Sequence, residues 1–446
     1  MTWKQISAAS PRGKKQLRAV AVAAAAAAYR KEVPIGRSDL PRHFTFGRWF
    51  TATAAGVAVL GSLSIGTSVA AHAATGSRPV QATTVDGTWG TSTVQLGATV
   101  SNQTVRDIVR TSIGGSGLEI RLSNVFGSQP VTFGHVTVGI QQSGAALVSG
   151  TDRQVTFSGS QSVTVPPGAE VLSDPVPGDV APQQNLAVSA YVQGATSTIT
   201  GHNEADQTSY VSAAGDHAAE DAATSFPSTI ASWFFLDGVF VTAPKTVGTV
   251  VALGDSITDG SYSIRNGDTR WPDFLARRLL QRPAARQMGV MNEGIAGNKI
   301  LADGAGESAL ARFGRDVLGQ PNVKTVILLE GINDLGGGAT PDQVIAGDRN
   351  LIAQAHAAGK CIIGGTLTPF GNASAQEHAN IDTVNNFIRS SGEFDGVVDF
   401  NAAVRDPADP NQILPAFNSG DGLHPNSAGY QAMANGVNLK MLNCKR

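Results

Sequence analysis

Two rhythms of apolar and polar residues divide the chain. Between about residues 80 and 243, short β-rich runs alternate with turns of Gly, Ser, Pro and Asn. TVRDIVRTSI (104–113), LEIRLSNVF (118–126), VTFGHVTVGI (131–140), NLAVSAYV (185–192) and ASWFFLDGVFVT (231–242) are the clearest. In the second run Leu118, Ile120 and Leu122 keep the period of two that turns one face of a strand toward a core. Strands at this spacing, without long helical patterns between them, predict an all-β sandwich, jelly-roll-like and antiparallel. After Ala243 the apolar runs TVVAL (249–253), GVMN (289–292), TVILLE (325–330), CIIGGTL (361–367) and VVDF (397–400) each pass through a polar loop into a helical pattern. The helical stretches are WPDFLARRLL, ALARFGRDVL, PDQVIAGDRNLIAQAHAAG, DTVNNFIRSSG and NSAGYQAMANGVNLKML. Strands alternating with helices predict an α/β domain: a parallel sheet covered on both faces, with its ligand site beyond the carboxyl ends of the strands. Loops 254–260, 293–298, 331–338 and 418–426 then share one rim.

The first 73 residues follow neither rhythm. They carry ten of the 33 Lys and Arg but only two of the 35 Asp and Glu, which leaves 23 basic against 33 acidic side chains, a balance of −10, in the remainder. That balance excludes a general nucleic-acid binder. Arg42 and Arg48 precede the apolar run ATAAGVAVLGSLSIGTSVA (52–70), and Ala71-His72-Ala73 ends it with small residues two apart. A basic start, a short apolar middle and an A-x-A end predict a secretory signal peptide cleaved after Ala73, and so a secreted, extracellular protein with no stable membrane span after cleavage. The expected organisation is residues 1–73 as extension plus signal, 74–243 as β-sandwich and 244–446 as α/β domain. In an oxidising compartment the two cysteines, Cys361 at the start of a strand and Cys444 near the chain end, are expected to pair at the bottom of the sheet. No Cys/His cluster has zinc spacing, so no metal is expected.

The rim loops carry the candidate chemistry. GDSITDG (254–260) follows the first parallel strand, and Ser256 there is either a turn-former or a nucleophile. A serine hydroxyl needs a base, and the base needs an orienting acid. His424 in GDGLHPN has Asp421 three residues earlier, a spacing that lets the carboxylate accept from Nδ1 and leaves Nε2 to face Ser256. A surface histidine beside a loop acid would look the same. Ester hydrolysis also needs donors aimed at the oxyanion; Asn333 in GINDLG, Gly297 in NEGIAGN and the amide of Ser256 are placed to supply them.

The four blocks GDSITDG, NEGIAGN, GINDLG and DGLHPN occur in that order, each after a predicted strand. The pattern resembles the SGNH (GDSL-type) hydrolase family over about 200 residues, with Ile257 where the family usually has Leu. The resemblance implies Ser256 as nucleophile, His424 as base, Asp421 as its orienter, and Ser256, Gly297 and Asn333 as the oxyanion hole. It also implies a flavodoxin-like three-layer α/β/α domain of five parallel strands in the order 2-1-3-4-5, with no cofactor. Asp255 is expected to support the turn, not to act as triad acid. The layout resembles secreted actinobacterial two-domain esterases, which suggests a carbohydrate O-acetyl ester or short-chain acyl ester as substrate. A lipase or phospholipase-type lipid hydrolase, and a glycan- or wall-binding protein with an inactive hydrolase domain, stand as alternatives. The β domain reads either as a glycan-contacting module or as a structural partner shaping the pocket. His202 and Glu204 in TGHNEAD are its polar residues most able to reach the rim, and Ser261, Tyr262, Trp271, Leu335 and Phe370 are candidates for pocket walls.

Overall fold

The computed structural model describes residues 83–244 and 248–444. The basic extension, the apolar run and the cleavage site expected after Ala73 lie outside the described residues. Among these, no helix is long and apolar enough to cross a membrane.

The first part is a sandwich in which every strand pair is antiparallel. One sheet runs Thr83–Gly90, Leu236–Pro244, Gly115–Ser123, Val176–Val180; the larger one runs Ser228–Ile230, Ser209–Ala214, Ser101–Arg110, Asn185–Ala195, Val131–Ser143. Leu118, Ile120 and Leu122 are buried as their period of two predicts, in one core with Phe133, Val136, Val138, Leu186 and Val188 of the facing sheet. A third small sheet of Trp233–Phe234, Ile199–His202 and Val94–Leu96 carries the chain toward the second part.

From Thr249 the sheet is parallel, in the spatial order Gly289–Gly294, Thr249–Gly254, Val323–Leu329, Cys361–Gly365, Gly396–Val398. This is the 2-1-3-4-5 arrangement that the family resemblance implies. Helices cover both faces, which is why Val250, Val251, Leu253, Ile327, Ile362 and Ile363 form nearly unbroken apolar runs and are all buried. Trp271–Leu280 packs with Ser427–Gly436, and Pro341–Ala357 with Ala375–Ser390. The last of these helices starts seven residues before the expected Asp382. Ser374 caps it, accepting from the Glu377 amide while the Glu377 carboxylate accepts from the Ser374 amide, and this reciprocal pair stabilises a first turn with no apolar period to announce it. The C-terminal helix is shorter than expected: it ends at Gly436, and a separate turn, Met441–Asn443, leads to Cys444.

Cys444 nevertheless reaches the bottom of the sheet. Thr325, paired with Cys361 across two strands, donates its hydroxyl to the Leu442 carbonyl at 2.7 Å. Cys361 and Cys444 form a disulfide, with Cα atoms 6.4 Å apart and 83 positions apart in sequence. Closing a loop of that length contributes roughly 4.5 kcal/mol in the chain-entropy account.

The sandwich and the parallel sheet lie in one compact unit. The strand Thr83–Gly90 runs beside the edge strand Gly289–Gly294, so close that a Cβ on Gly289 would lie 1.9 Å from the Gly87 carbonyl oxygen. The Gly87 amide donates to Thr249 Oγ1 at 3.0 Å, and the Val290 amide to Ser112 Oγ at 2.9 Å. Packing of this kind covers the edge strand, and the Ser112 hydroxyl gives its Val290 amide an acceptor.

Candidate active site

The buried strand Thr249–Gly254 ends in a tight turn into the four-residue helix Ser256–Asp259. Asp255 caps that helix: its Oδ1 accepts from the Ile257 amide at 3.0 Å. Complete burial pushes the Asp255 carboxyl up to about 7, against the smaller opposing pull of this bond. Capping leaves the Ser256 side chain, 8% exposed, at the carboxyl edge of the sheet.

His424 arrives from the last loop. Its Nε2 lies 2.8 Å from Ser256 Oγ and its Nδ1 2.6 Å from Asp421 Oδ2. The other oxygen of Asp421 accepts from the amides of Leu423 and His424, each at 2.9 Å, and from the Ser419 hydroxyl at 3.0 Å. Partial burial would raise this carboxyl, but the bonds from His424 and the two amides outweigh it and hold it at about 2. With Asp421 ionised, the imidazole carries its proton on Nδ1 and offers a lone pair to the serine.

Gly297 and Asn333 come from the second and third strands. Gly297 sits at φ +79°, a backbone region open to glycine and strained for other residues. Asn333, in the helix Ile332–Gly336, donates Nδ2 to the Asn298 carbonyl at 2.9 Å, which leaves its second amide hydrogen for another partner. The next residue ties the same two loops: the Asp334 carboxylate accepts from the amides of Ile300 at 2.9 Å and Leu301 at 3.0 Å. Ser256, Gly297, Asn333 and His424 all line one cleft of about 660 Å³. The candidates for nucleophile, base and oxyanion hole are thus all at this cleft, and Asp421 is in hydrogen-bond contact with His424 there, whereas the cysteines lie at the other end of the sheet. The arrangement can pass a proton from a serine hydroxyl to an imidazole held by an ionised carboxylate, with amide donors close by.

Residues match the model of the GDSL-like Lipase/Acylhydrolase family from 252 to 432. That segment is a GDSL-like lipase/acylhydrolase domain. The GDSL domain makes the protein a carboxylic ester hydrolase. No curated protein matches the chain. Among solved structures, it is similar to Axe2, an acetylxylan esterase from Geobacillus stearothermophilus (23% identity, 44% of this chain and 95% of that one, TM-score 0.35). It is also similar to LAE5, an α/β hydrolase enzyme from the metagenome of Lake Arreo, Spain (23%, 44% and 95%, TM-score 0.35). A third similarity is to a member of the lipolytic protein G-D-S-L family from Veillonella parvula DSM 2008 (19%, 42% and 94%, TM-score 0.34).

One residue beside the GDSL site, Arg312, escapes sequence reasoning, and another, His202, expected at the rim, lies beneath it. Arg312, fully buried, donates Nε to Asn298 Oδ1 at 3.0 Å, Nη1 to the Glu293 carbonyl and to Ser92 Oγ at 2.7 Å each, and Nη2 to the Gly254 carbonyl at 3.1 Å. One guanidinium so joins the ends of the first two parallel strands, the loop beneath Asn333 and the β-sandwich. Its nearest unbonded acid, Glu330, is pushed up to about 8 by burial, with Arg312 pulling the other way at 3.8 Å. The sandwich also sends His202 underneath the site. Its Nε2 meets Asp259 Oδ1 at 3.0 Å, and Asp259 Oδ2 accepts from the Ala296 amide at 3.0 Å, next to Gly297. Burial opposes a charge on His202, but the facing Asp259 carboxylate outweighs it and raises the imidazole. In ALARFGRDVL, Arg312 and Asp316, four apart, share the buried face with Ala309, Phe313 and Val317, and that spacing is the local signal for the buried arginine.

Of the pocket-wall candidates, Ser261 and Tyr262 line the cleft. Trp271 and Leu335 do not. Trp271 is fully buried against Phe400, ring centroids 5.2 Å apart, and Leu335 belongs to the same core. Phe370 packs on that core from its edge. His202 lies below the cleft, whereas Glu204, two residues on, lines it.

Proposed function

We propose that the protein is a secreted serine esterase that works through an acyl-enzyme. The observation that carries this reading is the hydrogen-bonded chain Ser256–His424–Asp421 opening on the cleft. Ser256 Oγ attacks the carbonyl carbon of an ester as its proton passes to His424 Nε2. The carbonyl π electrons move to oxygen, and the amides of Ser256 and Gly297 with Asn333 Nδ2 donate to that oxyanion. Collapse re-forms the carbonyl and breaks the bond to the alcohol oxygen, which takes the proton from His424. A water, deprotonated by the same imidazole, then attacks the acyl-serine, and the acid leaves as Oγ recovers its proton. Asp421 stays ionised throughout and holds the ring. Carbohydrate O-acetyl esters or short-chain acyl esters suit a cleft walled by Asn203, Glu204, Asp206 and Arg265 better than long lipid chains do. The basic start, apolar run and A-x-A end of the N-terminal segment support export. Replacing Ser256 by Ala tests the reading: p-nitrophenyl acetate turnover falls to background while the circular dichroism spectrum and melting temperature stay those of the parent. A folded variant that keeps more than a trace of turnover would overturn it.

A further inference from the structure

Two loops from different parts of the chain are clasped at the cleft mouth. From the β-sandwich comes the stretch 203–208, and from the GDSL domain the stretch 261–270. Ser261 Oγ donates to Glu204 Oε2 at 2.7 Å and Ser263 Oγ to Asp206 Oδ2 at 2.9 Å. The Asn266 amide donates to the Asp206 carbonyl at 2.9 Å, the Thr208 amide to Asn266 Oδ1 at 2.6 Å, and Arg270 Nη2 to the carbonyls of Glu204 and Ala205. Below the clasp, Tyr430 fixes the Ser261 carbonyl through a 2.7 Å bond. So many bonds hold Tyr262 at φ +67°, a conformation that strains a residue with a bulky side chain and persists only where its surroundings over-determine it. The tyrosine ring is not tucked away as a result. It is 59% exposed and stands 5.3 Å, centroid to centroid, from the His424 ring, tilted by 38°.

We propose that this clasp is the binding subsite for the alcohol half of the ester, and that the alcohol is a neutral polyhydroxylated ring such as a sugar. The inference rests on the esterase reading above. The leaving oxygen has to lie within hydrogen-bond reach of His424 Nε2 to receive its proton, so whatever is attached to it meets Tyr262 first and Glu204 next. An exposed, rigidly held aromatic face stacks on the C–H face of a sugar ring. The Glu204 and Asp206 carboxylates, with the Asn203 amide, accept and donate at its hydroxyls. The two carboxylates outnumber the one guanidinium in the cleft wall, Arg265, and so disfavour anionic headgroups, and their desolvation disfavours an alkyl chain lying across them. The β-sandwich is in this account part of the specificity apparatus of the GDSL domain.

The test compares kcat/KM for ethyl acetate and for a monoacetylated methyl glycoside, using the parent and the variants Tyr262→Ala and Glu204→Gln; the second keeps the shape of the acid and an acceptor for Ser261. The parent prefers the glycoside ester, and each variant lowers the glycoside-to-ethyl ratio about tenfold, the effect of losing one stacking or charge-assisted contact. Unchanged ratios, or equal losses on both esters, would overturn the subsite while leaving the esterase intact. So would a parent preference for acetylcholine or a phospholipid over the glycoside. A parent that turns over neither ester would instead remove the esterase reading itself.

Discussion

Replacing Asp421 by Asn is the sharpest perturbation of the proposed proton path, because the surroundings dictate how the amide must sit. In the parent, Oδ1 accepts from two backbone amides and a serine hydroxyl, and Oδ2 from His424 Nδ1. An asparagine can keep three of those four bonds only by leaving its carbonyl oxygen toward the backbone. Its NH2 then faces Nδ1, which has to become an acceptor, and the ring proton moves to Nε2. Now Nε2 donates to Ser256 Oγ at nearly the same 2.8 Å separation and cannot take the serine proton. The distances hardly change, yet the direction of transfer is lost. In serine protease triads the same exchange lowers kcat about 10⁴-fold, some 5.5 kcal/mol at about 1.4 kcal/mol per decade. Initial rates on p-nitrophenyl acetate at pH 7.5, with circular dichroism to establish the fold, measure it. Because the Asp421 carboxyl is held at about 2, it remains charged over the whole assay range and keeps accepting from the imidazole Nδ1. A folded Asp421→Asn protein within tenfold of the parent rate would refute the reasoning.

Asn333→Ala removes one proposed oxyanion donor and lowers kcat about 100- to 1,000-fold, with KM little changed; a parent-like kcat would take Asn333 out of the reaction. Asp255→Asn acts on stability through pH. The folded carboxyl titrates at about 7 against 3.8 for the free group, so its cost is absent below 3.8 and complete above 7. At about 1.36 kcal/mol per pH unit the penalty at pH 8 is about 4 kcal/mol, and roughly 1.6 kcal/mol at pH 5. Asparagine keeps the cap on Ile257 without the charge, so its stability advantage in urea titrations grows by about 2.5 kcal/mol from pH 5 to pH 8; a pH-independent gap would contradict the assignment.

The fold was largely legible because local periods and burial agree. TVVAL, TVILLE and CIIGGTL are nearly unbroken apolar runs because helices cover both faces of their sheet, and LEIRLS alternates because one face of its strand does not join the core. The site was legible as loop chemistry: Ser256, Gly297 and Asn333 each follow a strand end, which brings them to one rim, and His424 reaches the same rim from the loop before the last helix. Three features are not written in any local period. The packing of Thr83–Gly90 against Gly289–Gly294 joins segments some 200 residues apart. Arg312 and His202 are single polar residues whose partners come from four different segments. Tyr262 stands out only once its backbone angle and its position beside His424 are known. Trp271 misled in the opposite sense, because an aromatic close in sequence to a catalytic loop is as apt to fill the core as to face the cleft.

The central claim is that Ser256 is the nucleophile of a single proton-relay site. Treating the protein with a slight excess of diethyl p-nitrophenyl phosphate and mapping the peptides by mass spectrometry tests it most directly. The account predicts one diethylphosphoryl group on Ser256, one p-nitrophenolate released per inactivated molecule, and no labelling once His424 is replaced by Ala. Stoichiometric inactivation with the adduct on any other residue, or full activity with Ser256 labelled, would contradict it.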